Sequence, residues 1–441
     1  MSAVTKPPML DETGKALVGA AKQIADAIAN SKTGVVYGFH IKSNESSPSG
    51  AVTYLRDAVG AIPAHMDYTN DVFYYGSWEN AFFMPRPCML KSDGTVDYYL
   101  NPNDVSKKED GTASDIADAS YDGNAMVEWG QNGKKIWLKI VPDVDGKGAS
   151  VYIADHQADA DFHDYAFHNA AGQSMDHFYT AMFRGHLDSN NKLRSLSGKA
   201  VMKTKTAENE VTYAKANNPA GKQMWNIDLH SDLLLINCLL ILMGKSLDMQ
   251  TVYGLGLTSS GTEAINDAFT TGQNPTKGMF YGTNSGAAAT YTNAVKVFFM
   301  ENYWGFQHRR YLGHVMVNGT QKVKNTYGTE DGSTASDYNL TGNGYKSVGA
   351  TPTGGNNDQE GYIKEHQFTE DGMFAKNMGG GSSSTYYCDY CWYNKGITAV
   401  AFRGGNSIYG LGAGAFYVLL NNTASGATWG IGAALSCKPL A

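Results

Sequence analysis

The C-terminal part of the chain contains four short blocks: RGGNSIYG at 403–410, AGAF at 413–416, LNN at 420–422 and WGIGA at 429–433. Together, these blocks contain both small residues and large apolar residues. Glycine permits turns that would strain other residues, whereas a buried aromatic ring removes roughly 150–250 Å² from water. The blocks therefore predict an irregular but rigid backbone, with glycines at the turns (Gly404, Gly405, Gly410, Gly414) and large side chains pointing inward (Phe416, Leu420, Trp429).

Hydrophobic periodicity indicates the elements that precede these blocks. Residues 11–30 carry apolar residues at helical spacing and predict an amphipathic helix, which either packs on its own domain or serves in assembly. A strand is predicted at 35–41 and a pair of strands at 135–142 and 149–154. Further helices are expected at 207–217 and 229–246, followed by glycine-rich turns and short strands.

These elements predict an α+β fold with three parts. The predicted boundaries are an N-terminal helix at 1–34, a β-rich domain at 35–198 and a final domain at 199–441.

Composition limits the classes of function. The 441 residues carry a formal net charge of −7, which would repel a phosphate backbone and argues against nucleic-acid binding. The longest apolar stretch, 233–243, is shorter than the about 20 residues that a membrane helix needs. The first ten residues lack a signal-peptide pattern, and five scattered cysteines do not form a disulfide framework. We expect synthesis in a reducing cytoplasm, without membrane insertion.

Three parts of the chain resemble known families. FMENYWGF at 299–306, followed by Gly313, resembles the motif of C-type-lectin-like domains of the formylglycine-generating-enzyme type. The four C-terminal blocks resemble the variable region of proteins diversified by diversity-generating retroelements, a family that includes phage tropism determinants. Residues 86–94, 96–100 and 193–198 resemble a domain that precedes such modules in phage tail and minor structural proteins. The resemblance implies a C-type-lectin-like fold for 199–441.

The resemblance also implies a function. Members of this family display diversified side chains to a receptor, so it implies a phage or prophage adhesin with a variable region at about 386–436, located on a virion tail or particle surface. The implied partners are a host-surface protein or glycan, other tail proteins and further copies of the chain, with a trimer favoured. The expected contact residues are Tyr390, Tyr393, Ser407, Ile408, Tyr409, Leu411, Gly412, Tyr417, Leu419, Gly426, Thr428 and Gly430.

Seven of these residues fit the chemistry of adenine-directed diversification. The family framework tends to carry Asn at their positions, and each is a residue that an Asn codon reaches by changes at its two adenines. The seven are Ser407, Ile408, Tyr409, Leu419, Gly426, Thr428 and Gly430. Positions free to vary cannot be packed in a dense interior, so we expect all seven on one exposed face.

Three clusters offer alternative chemistry. Cys388 and Cys391 have the spacing of a metal or redox pair, but a zinc site would need further ligands. The acidic and histidine residues at 155–168 form either a divalent-ion site or a polar loop. His308 to Tyr311 form either a contact for an acidic glycan or an amphipathic strand. We predict no catalytic residue, metal or cofactor; the alternatives are a purely structural tail protein and an oxidase of the formylglycine-generating type.

Overall fold

The computed structural model describes residues 34–169, 172–259, 269–286, 291–325 and 344–439. Within these ranges the protein has 27 short strands and three α-helices. The predicted α+β class is therefore wrong, and the fold is mostly β. The reason is that glycine, asparagine and aspartate turns interrupt most of the chain every few residues, which leaves strands of two to ten residues. The predicted helix at 11–30 lies outside the described residues.

The helices are α1 (Ala207–Lys215), α2 (His230–Gly244) and α3 (Met249–Tyr253), so both helices predicted within the described part are confirmed. The Thr206 side chain accepts a hydrogen bond from the Asn209 amide and caps α1. All fifteen residues of α2 are buried, as expected for a helix that is apolar on every side. Among the described helices, none has the length and apolar character needed to cross a bilayer.

The N-terminal part contains a four-stranded antiparallel sheet with the order β2–β1–β10–β9. The predicted strand at 35–41 and the predicted pair at 135–142 and 149–154 are confirmed in it. Its strands are β1 (Val36–Lys42), β2 (Val52–Arg56), β9 (Trp137–Pro142) and β10 (Gly148–Ala154). A separate pair consists of β3 (His65–Asp67) and β4 (Val72–Tyr74).

A seven-stranded sheet joins the two predicted domains. Its order is β14 (Trp225–Ile227), β27 (Leu435–Cys437), β11 (Phe178–Ala181), β8 (Gly123–Trp129), β5 (Arg86–Lys91), β6 (Val96–Asn101) and β7 (Asp104–Lys108). The strand β27, near the C-terminus, thus lies between β14 and β11. One sheet therefore crosses the boundary predicted between residues 198 and 199. The short pair β12 (His186–Leu187) and β13 (Leu193–Arg194) lies near that boundary.

The C-terminal sheet has eight strands. Its path is β19 (Lys346–Ser347), β18 (Thr320–Val323), β17 (His308–Val317), β24 (Ala399–Arg403), β25 (Val418–Leu420), β23 (Tyr390–Tyr393) and β20 (Glu360–Tyr362), with β26 (Ile431–Gly432) paired to β17. The β23–β25 and β17–β26 pairs are parallel and the others are antiparallel. The pairs β15 (Lys296–Val297) with β16 (Met300–Glu301), and β21 (Glu365–Thr369) with β22 (Gly372–Asn377), lie outside it.

The FMENYWGF motif connects the buried helix to the C-terminal loops. The Tyr303 hydroxyl donates to Asn237 Oδ1 at 2.8 Å, and Asn237 Nδ2 donates to the Ala415 carbonyl at 2.9 Å. The Trp304 indole N–H donates to the Gly254 carbonyl at 3.1 Å. Since these groups are buried, the loop that follows β24 is held on α2 by bonds that water does not compete for. The assignment of a C-type-lectin-like fold stays a prediction from the resemblance.

Candidate functional site

An open cleft of about 270 Å³ lies where strands of the C-terminal sheet end. We call it the C-terminal cleft. Twelve residues line it: His308, Trp392, Asn406, Ile408, Tyr409, Leu419, Asn421, Asn422, Thr428, Trp429, Gly430 and Ile431. They come from five separate segments of the chain, which only the fold brings together.

The alternating direction of side chains along β23 determines which of them reach the cleft. In β23, Tyr390 and Trp392 are partly exposed, whereas Cys391 and Tyr393 are buried. Successive side chains of a strand point to opposite faces, so Trp392 reaches the cleft and Tyr393 does not. Trp392 is the register partner of Leu419 on the parallel strand β25. These two side chains therefore form adjacent parts of the cleft wall.

A group of three rings supports one side of the cleft. His308 stacks on the buried ring of Tyr417 at 5.3 Å, and Tyr409 contacts both rings edge-on at 5.2 and 5.0 Å. Burial, together with the positive charge of Arg184, lowers the pKa of His308 to about 3. The imidazole is thus neutral at physiological pH. Its Nδ1 has no hydrogen-bond partner among the described residues.

The loops around the cleft are fixed by polar contacts from beneath. Asn406 Oδ1 accepts from the Ile408 amide at 3.1 Å. Gln307 Nε2 donates to the Trp429 carbonyl at 3.2 Å, and Arg310 Nη2 donates to the Gly426 carbonyl at 2.7 Å. Buried groups therefore determine the course of the backbone, while the side chains of Ile408 and Trp429 remain wholly or partly exposed.

A buried carboxyl group holds the AGAF block. Asp389 Oδ2 accepts from the Phe416 amide at 2.6 Å. Burial raises the pKa of Asp389. A Cβ at Gly414 would lie 2.1 Å from Asp389 Oδ1, so this glycine is required for close approach. Gly404, Gly405 and Gly410 have positive φ, as the turn prediction requires. The inward orientation predicted for Phe416 and Leu420 is confirmed.

Five of the twelve expected contact residues line the C-terminal cleft. They are Ile408, Tyr409, Leu419, Thr428 and Gly430. The other seven lie beneath or beside it: Tyr390, Tyr393, Ser407, Leu411, Gly412, Tyr417 and Gly426. Among these seven, Leu411 is 50% exposed, and Tyr390 and Gly426 are partly exposed. Whether these residues contact a receptor stays a prediction.

The expectation that all seven diversified positions are exposed is wrong for three of them. Ser407 is fully buried in the loop after β24, Leu419 is 4% exposed because it belongs to an interior strand, and Gly430 is buried against Asn406. Ile408 and Thr428 are exposed, and Tyr409 and Gly426 are partly exposed. The exposed part of this set of positions is therefore smaller than the sequence predicted.

Further expected contact residues are also buried. Tyr417 lies under His308, and Gly412 packs on Tyr390. Tyr393 is on the inner face of β23, where its hydroxyl donates to Asp358 Oδ1 at 2.8 Å. Trp429, by contrast, was predicted to be buried and is more exposed than predicted. It is partly exposed and lines the cleft instead of anchoring the core.

Sequence reasoning missed six residues of the cleft as contact residues: Trp392, Asn406, Asn421, Asn422, Trp429 and Ile431. His308 was considered only as part of a contact for an acidic glycan. The resemblance implies a framework role for the four C-terminal blocks, which include Asn406, Asn421, Asn422 and Trp429. Trp392 lies in an aromatic run with Tyr390 and Tyr393, in which only strand alternation separates Trp392 from Tyr393. No local signal places His308 in the cleft, since that requires the pairing of β17 with β26.

The other clusters have structural partners. Cys388 and Cys391 are buried free thiols, and burial raises the pKa of both. Lys139 pairs with Asp159 and Asp161 at 2.9 Å, which uses carboxylates of the acidic segment at 155–168. Within the described ranges, no three histidine, cysteine or acidic side chains are grouped to hold a metal ion.

The basic residues after His308 are turned into the interior. Arg309 Nε lies 3.4 Å from Asp228 Oδ2, and Arg310 Nε lies 2.6 Å from Glu210 Oε2. All ten residues of β17 are buried. The guanidinium groups thus neutralise internal carboxylates, and an acidic glycan at the surface has no access to them.

No family model and no curated protein matches the chain. Solved structures align with it at low similarity. The "Major Tropism Determinant U1 Variant" has 11% identity and a TM-score of 0.29, covering 81% of this chain and 72% of that chain. The "M1 Variant" and "P3c Variant" have 12% identity, TM-scores of 0.28 and 0.27, and coverage of 80% and 72%. The similarity to these tropism determinants is too low to assign this chain to their family.

Proposed function

We propose that the chain is a receptor-binding protein of a phage or prophage particle and that the C-terminal cleft contacts the receptor. One observation carries this proposal. Ile408, Tyr409, Leu419, Thr428 and Gly430 stand where the framework of the resembling family tends to carry Asn, and the fold gathers them in one cleft although they span 23 positions of the chain.

The structure of the cleft suits such a task. Its backbone is held by buried bonds from Gln307, Arg310 and Asp389. Surface substitutions typically change stability by no more than about 0.5 kcal/mol, so Ile408 and Thr428 can change without unfolding the protein. Tyrosine and tryptophan rings provide contact area at a low cost in conformational entropy.

Assembly would strengthen a weak contact. The resemblance implies a homo-oligomer, with a trimer favoured, attached to other tail proteins on the particle surface. Several copies of one cleft would raise avidity by about 10²–10⁴-fold over a single site. A receptor that is repeated on the host surface, either protein or glycan, fits this mode of binding.

The two alternatives, an oxidase and a purely structural tail protein, require different properties of the chain. An oxidase would need a reactive thiolate, whereas burial disfavours that form of Cys388 and Cys391. A purely structural tail protein would not depend on the cleft side chains for host binding. Receptor binding is therefore the function we propose, and the structural role is the alternative that experiment must separate from it.

Cell staining separates these two functions. The fluorescently labelled protein is incubated with several strains related to the bacterium that carries the gene. Flow cytometry then measures the staining of the cells. We expect staining to be lost when Ile408, Tyr409 and Thr428 are all changed to Asn. The matched control changes three exposed apolar residues outside the cleft, Val59, Ile62 and Val72, to Asn.

The control variant should melt like the parent because its replaced side chains are exposed, whereas the cleft variant should stay folded but melt at a lower temperature because it loses the ring contacts of Tyr409. Equal staining by the cleft variant and the parent contradicts the proposal. The proposal is also contradicted if the parent protein stains none of the bacteria tested.

A further inference from the structure

The C-terminal cleft has an uncharged lining. None of its twelve residues, all of which belong to the described part of the chain, is Asp, Glu, Lys or Arg. The only ionisable imidazole, His308, is neutral at physiological pH for the reasons given above. A ligand group with a formal charge would lose its hydration here without gaining an opposite charge, which is costly. The cleft therefore selects an uncharged group.

A negative charge lies beside the cleft, whereas the positive charge of Arg184 is buried and its guanidinium donates to the His308 carbonyl. Glu360 is the register partner of Trp392 across β20 and β23, so the two side chains lie on one face of the sheet. Burial raises the pKa of Tyr409, a hydrogen bond with Tyr417 lowers it, and the charge of Glu360 raises it further. Glu360 repels anions, whereas Arg309 and Arg310 are held in internal ion pairs. Acidic sugars are thus disfavoured.

Aromatic faces and amide groups occur together in the cleft. Trp392, Tyr409 and Trp429 provide rings. The partly exposed Asn421 and Asn422 pair with each other through Asn421 Oδ1 and Asn422 Nδ2, which leaves Asn421 Nδ2 as a donor and Asn422 Oδ1 as an acceptor. A sugar presents C–H groups that pack on aromatic rings, with hydroxyl groups at its edge that pair with amides. The lining matches both features.

Two polar atoms at the cleft have no partner within the described residues. They are the Trp392 indole N–H, which can only donate, and His308 Nδ1, on a side chain that is 4% exposed. Buried polar atoms are rarely left without hydrogen bonds, and those that are call for an explanation. Both atoms have almost no accessible surface, so a ligand hydroxyl would reach them only after neighbouring side chains move.

The size of the cleft separates a sugar from a protein surface. Its volume of about 270 Å³ is just below the 300–1,000 Å³ that is usual for small-molecule sites. A protein–protein interface instead covers about 800 Å² on each partner, with a dry core of apolar residues. An open, amide-lined cleft suits a projecting sugar ring better than a flat protein face.

We propose that the C-terminal cleft binds an uncharged sugar residue of the receptor. This inference rests on the proposed function, and it adds the chemical class of the ligand.

Saturation-transfer NMR tests the inference directly. The probes are the methyl glycosides of glucose, galactose, mannose and N-acetylglucosamine, with glucuronic acid and N-acetylneuraminic acid as acidic counterparts. We expect signals from at least one neutral glycoside, weakened about tenfold by Trp392→Ala or Asn422→Ala through loss of a ring face or an amide. Trp137→Ala and Asn190→Ala, at positions outside the cleft, are the matched controls and should bind like the parent.

Stained cells provide a second measurement that separates the two proposals. Mild periodate, which cleaves sugar diols, should remove staining, whereas proteinase treatment of the cells should leave it. If proteinase removes the staining and periodate does not, or if only the acidic sugars give NMR signals, the sugar inference is wrong while receptor binding stands. If the cleft variants stain as the parent does, receptor binding at the cleft is wrong as well.

Discussion

Four buried imidazoles lie in the C-terminal half of the chain: His230, His308, His314 and His366. Burial lowers the pKa of each, to about 3 for His230, His308 and His366. The unfolded chain would protonate them near the ordinary value of about 6.5. Since the unfolded state binds more protons between these values, each histidine contributes stability above pH 6.5 that is lost as the pH falls toward 3.

We expect His366→Phe to reduce the acid sensitivity of folding. His366 packs against Tyr387 with ring centroids 3.9 Å apart, and its Nδ1 has no partner among the described residues, so a phenyl ring fits. Between pH 7 and pH 5 the parent should lose about 2 kcal/mol more stability than the variant. Urea unfolding at the two pH values measures this. An identical pH dependence in both proteins would show that His366 is protonated in the folded state.

Gly430 tests whether an expected variable position can vary. A Cβ there would lie 2.4 Å from Asn406 Nδ2, and Asn406 fixes the Ile408 amide. We expect Gly430→Ala to move Asn406 and weaken cell staining while the fold persists. Gly379→Ala is the matched control, because its nearest contact, Asn377 Oδ1, is a tolerable 3.2 Å away. Unchanged staining by Gly430→Ala would show that Asn406 moves at no cost to binding.

At the scale of elements, one buried ion pair connects α1 to β17. Glu210 and Arg310 are both fully buried, with Oε2 and Nε 2.6 Å apart. Removal of one partner leaves an uncompensated charge and typically costs about 3–5 kcal/mol, whereas replacement of both by apolar residues is often neutral. The same guanidinium also donates to the Gly426 carbonyl, which lies in the loop that leads to the cleft.

A double-mutant cycle separates these two roles of Arg310. Glu210→Leu and Arg310→Met alone should each destabilise the protein by about 3–5 kcal/mol, and the double variant should recover most of that loss. Staining by the double variant should nevertheless stay weak, because the Gly426 carbonyl has lost its donor. Denaturant unfolding measures the first effect and flow cytometry the second. Additive losses of stability would contradict the paired role.

Local sequence patterns predicted individual helices and strands better than they predicted how these elements pack and pair with one another. The helices at 207–217 and 229–246 and the strand at 35–41 were evident because side-chain periodicity is a local property. Side-chain direction within the blocks was predictable for Phe416 and Leu420 but not for Leu419 or Trp429. In an irregular loop no fixed period relates neighbouring side chains, so direction depends on contacts such as Gln307 with the Trp429 carbonyl.

At the scale of the whole molecule, pairings between distant strands decide the fold. The register of β11 with β27 matches Tyr179 with Cys437, residues that lie far apart in the sequence. Composition changes near residue 199, which is why the sequence predicted a boundary there. A shift in composition cannot reveal that the last strand returns to the sheet of the first half.

The position of β27 predicts that both halves of the chain fold together. This strand fills the space between β14 and β11, and Lys438 directly after it donates to Asp232 Oδ1 on α2 at 2.8 Å. Removal of residues 434–441 would expose the edges of both neighbouring strands and leave Asp232 without its ammonium partner. We expect this truncation to abolish cooperative melting.

Hydrogen exchange locates the effect of that truncation. Because β11 pairs with β8, loss of β27 should remove amide protection from β11 and β8, in the first half of the chain. A shorter truncation after Pro439 retains β27 and Lys438 and should melt like the full chain. If β11 keeps its protection without β27, the first half folds by itself, and the boundary predicted at residue 198 is a boundary in folding although a sheet crosses it.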